Sequence, residues 1–150
     1  MKRTPLKRNK PLNKYGTRRK SRERELDLFV EIWGERPHVS EVSGKRLIPK
    51  PDHEDREAWR MWVSQFSHLV PKGSYRGMRL RKENIVLKTV KEHDQWHNIP
   101  KPELVTLHPG WAAIIDRYHE NLAYANEMAQ RRILYREGRD KRAVNKLPRE

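Results

Sequence analysis

Phe66-Ser67-His68-Leu69-Val70-Pro71-Lys72-Gly73, then Arg79-Leu80-Arg81-Lys82-Glu83-Asn84-Ile85-Val86-Leu87, then Thr89-Val90-Lys91-Glu92-His93-Asp94-Gln95-Trp96-His97 is the stretch on which the reading of this chain turns. The runs 66–70 and 85–87 are short and apolar, and a loop carrying Gly73 and Gly77 lies between them. That predicts a strand, a loop whose glycines permit positive φ or close backbone approach, and a second strand. Thr89 with Glu92 three residues on is a capping-box signature, in which side chain and backbone satisfy each other at a helix start. The helix it opens puts His93 and His97 four residues apart, on one face. Taken singly, a strand histidine is ordinarily structural, a helical histidine pair ordinarily faces solvent, and an asparagine is ordinarily a turn residue. Their joint order, with separations of 16, 9 and 4 residues from His68 through Asn84 and His93 to His97, points to chemistry instead.

This order resembles the HNH endonuclease family, whose core is the ββα-metal (His-Me finger) unit. The likeness is nearest to small phage-encoded members, which often begin with an arm like Lys2 to Arg8 here. It covers about residues 38–98. The resemblance implies a divalent-metal-dependent DNA endonuclease that leaves a 5′-phosphate, acting in the cytoplasm of a bacterial host. It implies that His68 is the general base that activates water, a task suited to an imidazole with an ordinary pKa near 6.5. It implies that Asn84 orients that imidazole through a hydrogen bond, and that His93 and His97 hold one ion (Mg2+, Mn2+, Ni2+ or Zn2+). Such an ion stabilises charge growing on the phosphate and the leaving 3′ oxygen.

The chain departs from the family in two places. Ser67 stands where many members carry a further metal ligand just before the base. Many members also hold a structural zinc on four cysteines, whose positions correspond here to Ser40, Ser43, Thr89 and Glu92. The chain has no cysteine, so a zinc-thiolate site and a disulfide are both excluded. The capping box and packing by Trp33, Trp59, Trp62, Trp96 and Trp111 are expected to replace the zinc.

Outward from this block, 34 Lys and Arg against 20 Asp and Glu give a net charge of +14 over 150 residues. So basic a chain attracts polyanions, and DNA is the expected partner through release of condensed counterions. Residues 1–20 read as a disordered basic arm, with Lys7, Arg8, Arg18 and Arg19 as phosphate contacts. The loop residues Lys72, Arg76, Arg79 and Arg81 are expected to contact phosphates near the scissile bond. No apolar run approaches the length of a membrane span.

The expected architecture is an α+β fold: a single domain over 21–136 with its ββα core at 65–98, flanked by a helix before and a long helix after, and a charged tail at 137–150. The first helix starts near Ser21, with Leu26, Phe29, Val30 and Trp33 as its apolar face. A short hairpin is expected over 39–48 and a helical turn over 53–62. The prolines at 100 and 102 should end the block. The last helix should run over 109–135, with Trp111, Ile114, Ile115, Tyr118, Leu122, Ala125 and Ile133 along one stripe. His38, His53, His108 and His119 are read as structural, with His53 the stray candidate for a third ligand; Glu41, Glu54 and Asp55 are read as surface charge. Two other readings remain open. One is a catalytically degenerate HNH module that binds nucleic acid. The other is a partner protein in phage DNA processing or packaging, docking through an exposed 109–135 stripe.

Overall fold

The computed structural model describes residues 14–52 and 54–144, with the backbone alone for 14–18 and 139–144. Its helices are α1 (Lys14–Glu35), α2 (Arg56–Val63), α3 (Val90–Asn98), α4 (Lys101–Leu107) and α5 (Trp111–Val144). The strands β1 (Phe66–His68) and β2 (Ile85–Leu87) pair antiparallel, with Phe66 opposite Leu87, Ser67 opposite Val86 and His68 opposite Ile85. Helix and sheet are thus mixed, as an α+β fold requires, and β1, β2 and α3 follow one another as strand, strand and helix.

The two-residue period of a strand divides the hairpin between two cores. Phe66, Ile85 and Leu87 meet Leu28, Phe29, Ile32 and Trp33 of α1 and Trp62 of α2. Phe29 and Phe66 stack there with ring centroids 4.4 Å apart. Across the hairpin, Leu69 and Val86 meet Trp96 of α3, Leu104 of α4, and Trp111 and Ile114 of α5. Trp33, Trp62, Trp96 and Trp111 are buried and Trp59 is partly so, as tryptophan-rich packing predicts.

Local signals set the element ends. Asp55 caps α2 by accepting from the backbone N–H groups of Glu57 and Ala58. Thr89 and Glu92 form the reciprocal capping box at the start of α3. Pro100 and Pro102 begin α4 instead of merely ending the block, since proline suits a first helical turn.

Several expectations are corrected. α1 begins at Lys14, so 14–20 is helix and not arm; Lys7 and Arg8 lie outside the described residues, as does the side chain of Arg18. Its buried stripe is Glu25, Leu28, Phe29, Ile32 and Trp33, while Leu26 and Val30 are exposed. The 39–48 hairpin reduces to one antiparallel bridge, Val39 with Arg46, closed by Gly44 at φ 70°. Gly73 and Gly77 do not adopt positive φ. α5 starts at Trp111 and continues to Val144, through much of the expected tail. Its stripe is covered by the chain itself through Ala125, whereas Ile133 is exposed. Glu41 is not free surface charge: it takes hydrogen bonds from Arg36, Arg117 and the Leu87 backbone, and ties α1 and α5 to β2. No helix among the described residues is long and apolar enough to cross a membrane.

Candidate functional site

His68 ends β1 on the α1 side of the hairpin, where the strand opens into the 69–81 loop. His93 and His97 project from successive turns of α3, their ring centroids 5.0 Å apart. All three imidazoles line one cavity of about 820 Å³, together with Glu25, Lys72 and Lys101. Phe29, Leu69, Trp96 and Tyr118 supply its apolar wall.

Backbone carbonyls fix two of the imidazoles. Nε2 of His68 lies 3.0 Å from the Arg79 carbonyl. A carbonyl oxygen only accepts, so Nε2 carries the proton and the neutral ring keeps its lone pair on Nδ1. Burial holds His68 below the ordinary histidine pKa, against the carbonyl bond that favours its charged form. Likewise Nδ1 of His93 donates to the Ser64 carbonyl at 2.5 Å, which leaves the lone pair on Nε2. Burial, then the neighbouring His93, Lys88 and Lys101, lowers the pKa of His97 and keeps it neutral near pH 7.

Asn84 is fully buried at the start of β2 and does not bond the imidazole directly. Its amide donates to the carbonyls of Val70 and Met78 at 3.0 Å each, and its carbonyl accepts from Val70 N–H at 2.8 Å. It therefore pins both ends of the loop, and the loop in turn presents the Arg79 carbonyl to His68. The expected direct bond is replaced by one transmitted through backbone.

Glu25, which the sequence reading passed over, is buried at the mouth of this loop. Lys72 donates to its Oε1 at 2.5 Å, and Arg79 donates to Oε2 from Nη2 at 2.6 Å and from Nε at 3.2 Å. Nε2 of His68 stands 3.5 Å from Oε1. Burial alone raises a carboxyl pKa, but these hydrogen bonds outweigh it and hold Glu25 below the usual range. The sequence holds no signal for it beyond its place one turn before Phe29, because packing alone sets which face of α1 is buried.

Of the expected phosphate contacts, Lys72 and Arg79 gather at His68. Arg76 instead lines a second groove against α5, and Arg81 stacks on Tyr124 of α5 at 3.7 Å. Arg19 is exposed and pairs with Glu23. His38 bonds the Trp33 carbonyl and His108 accepts from Gly110 N–H, both structural as expected. His53 lies outside the described residues.

Ser67 faces away from the cavity into the second core, where its Oγ accepts from Lys88 at 3.2 Å. Lys88 is fully buried, with its ammonium over the rings of Trp96 and Trp111. Burial beside Lys101 lowers its pKa to about 7.

Among the described residues, no group of three or more His, Cys, Asp or Glu side chains is gathered as a metal centre. The donor chemistry nevertheless fits a divalent ion held by two imidazoles: His93 has its Nε2 lone pair free and its other nitrogen fixed on a carbonyl, and His97 stays neutral. Ser40, Ser43, Thr89 and Glu92 are linked to one another by hydrogen bonds. Ser40 donates to Glu92 at 2.5 Å, and Thr89 N–H donates to the same carboxylate oxygen at 2.8 Å. Ser43 N–H donates to Ser40 Oγ.

Compared with known proteins, the chain matches no family model, no curated protein and no solved structure.

Proposed function

We propose that the chain is a divalent-metal-dependent DNA endonuclease with a ββα-metal core, in which His68 acts as general base. The observation that carries this reading is the convergence of His68, His93 and His97 on one basic cavity, with the lone pair of neutral His68 on Nδ1. In the reaction His68 Nδ1 takes a proton from water, the water oxygen attacks phosphorus, and the bond to the 3′ oxygen breaks, that oxygen leaving with the electron pair and taking a proton from solvent. Lys72 and Arg79 offset the phosphate's negative charge. Asn84 acts as a positioning residue by fixing the loop carbonyl that holds the base. A divalent ion on His93 and His97 would supply Lewis-acid stabilisation to the phosphate and the departing oxygen.

The decisive assay incubates supercoiled plasmid with wild type and His68→Ala, across Mg2+, Mn2+, Ni2+, Zn2+ and EDTA. Metal-dependent nicking by wild type and a loss of about a hundredfold or more in the variant are expected. Equal activity of the two proteins overturns the assignment of the base. One observation favours a second reading, a nucleic-acid-binding module without catalysis: Ser67 turns from the cavity and leaves two imidazoles as ligands. Salt-dependent DNA binding with no cleavage under any ion would select it.

A further inference from the structure

The hydrogen bonds at Glu25 describe a binding site as much as a strut. A carboxylate carries one negative charge shared by two oxygens. The two non-bridging oxygens of a phosphodiester carry the same charge in the same bidentate form. Oε1 of Glu25 faces Lys72 and His68, and Oε2 faces Arg79. The cations are turned toward solvent more than the anion they hold: the side chains of Lys72 and Arg79 are 46% and 29% exposed, and that of Glu25 is 7% exposed. Glu25 and Lys72 line the open cavity, and Arg79, itself partly exposed, meets Lys72 across the Glu25 carboxylate.

We propose that Lys72 and Arg79 form a phosphodiester subsite beside His68, that Glu25 occupies it in the free protein, and that a DNA phosphate displaces the carboxylate. The inference rests on reading the cavity as a nucleic-acid site. Charge is conserved in the exchange, since one monoanion replaces another between the same two cations. The released carboxylate also has a destination. Arg22, three residues earlier on the same face of α1, is exposed and lines the same cavity. Glu25 thus keeps Lys72 and Arg79 aimed at the base, and it restricts the subsite to ligands that compete with an internal anion.

Two probes separate this proposal from the nuclease reading. The first is a short fluorescent duplex titrated in EDTA, so that no cleavage intervenes. Glu25→Gln keeps shape and hydrogen bonding but removes the competing charge, and should tighten binding about tenfold, with a salt dependence steeper by about one counterion per phosphate newly held. Asp27→Asn, an exposed position on the same helix, changes net charge equally and should alter affinity less than about twofold. Adding Lys72→Gln to Glu25→Gln should remove most of the gain. Equal gains from Glu25→Gln and Asp27→Asn, or weaker binding by Glu25→Gln, overturn the proposal and leave the nuclease reading standing.

The second probe is dimethyl phosphate, followed on the Arg79 Nε–H resonance. It needs no substitution in wild type, and should shift that resonance in wild type and at lower concentration in Glu25→Gln. A response to dimethyl phosphate in a chain that fails to bind or cut DNA keeps the subsite and removes the nuclease. No response in either protein overturns the subsite.

Discussion

Ser67 and His68 are neighbours in one three-residue strand, yet they belong to different regions of the molecule. On the α1 side of the hairpin, His68 opens onto a cavity lined by Glu25 and Lys72, and Arg79 pairs with the same Glu25 carboxylate. On the α3–α5 side, Ser67 and Lys88 are sealed among Val86, Trp96 and Trp111. Both sides bury polar groups, but in different ways. The open side pairs its charges and keeps them ionised beside solvent. The sealed side gives its ammonium one hydroxyl and two indole faces, and responds by lowering the pKa. Polar groups on the first side are placed for exchange with a ligand, and those on the second for packing.

The sharpest way to break this contrast is to delete the residue that faces the open side. His68→Ala should cost about a hundredfold or more in nicking while the thermal midpoint changes little. Because the active form is the neutral imidazole and its pKa is depressed, the acid limb of kcat/KM should lie below pH 6.5. A limb well above that value would remove His68 as the base.

Asn84→Ala should cost roughly 3 kcal/mol or more in urea unfolding, since it leaves Val70 N–H and two carbonyls buried without their partner. Activity should fall with the loop, and an unchanged midpoint would remove Asn84 as the pin.

Lys88→Met is expected to act in the other direction, and to stabilise by about 1–4 kcal/mol at pH 7 because it removes a poorly paired buried charge. The sign in pH is definite. The folded pKa is about 7 and the ordinary value 10.5, so the unfolded chain binds more protons between them. Stability should therefore rise as pH climbs from 7 toward 10.5 in wild type, and Lys88→Met should flatten that rise in pH-dependent melts. A wild-type slope of the opposite sign, or one unchanged in the variant, would show that Lys88 remains charged.

The smallest effect is expected at Ser67→Ala, a loss of about 1 kcal/mol with nicking retained, because the hydroxyl serves Lys88 and not the cavity. A large loss of cleavage there would place Ser67 at the site after all.

What could be read from the sequence follows the range of the interactions involved. The box at Thr89 and Glu92 is local, so its spelling alone announces it. The strand–strand–helix order and the two histidines of α3 were legible for the same reason. The phase of α1 was not: Leu26 and Val30 are as apolar as Leu28 and Ile32, and only packing on Phe66 and Trp62 decides which pair turns inward. Strands of three residues are too short to display their period, so the opposite directions of Ser67 and His68 stayed hidden. Asn84 spends its amide on backbone atoms, which no side-chain pattern records. Glu25 looked like one more helical surface charge until the loop folded its cations onto it.

The knot of Ser40, Thr89 and Glu92 has a practical consequence. A domain clasped by thiolates and zinc loses its fold along with its ion when a chelator or an oxidant arrives. Here the clasp is the Glu92 carboxylate, which takes hydrogen bonds from the Ser40 hydroxyl and the Thr89 backbone N–H; burial alone would make it a weaker acid, but its hydrogen-bonding neighbours Ser40, Ser43 and Thr89 make it a stronger one. Sequestering divalent ions should leave the fold standing and take from the melting curve only what an ion on His93 and His97 adds by mass action. Acidification through the carboxylate range should lower it, since a proton on Glu92 undoes the clasp from within.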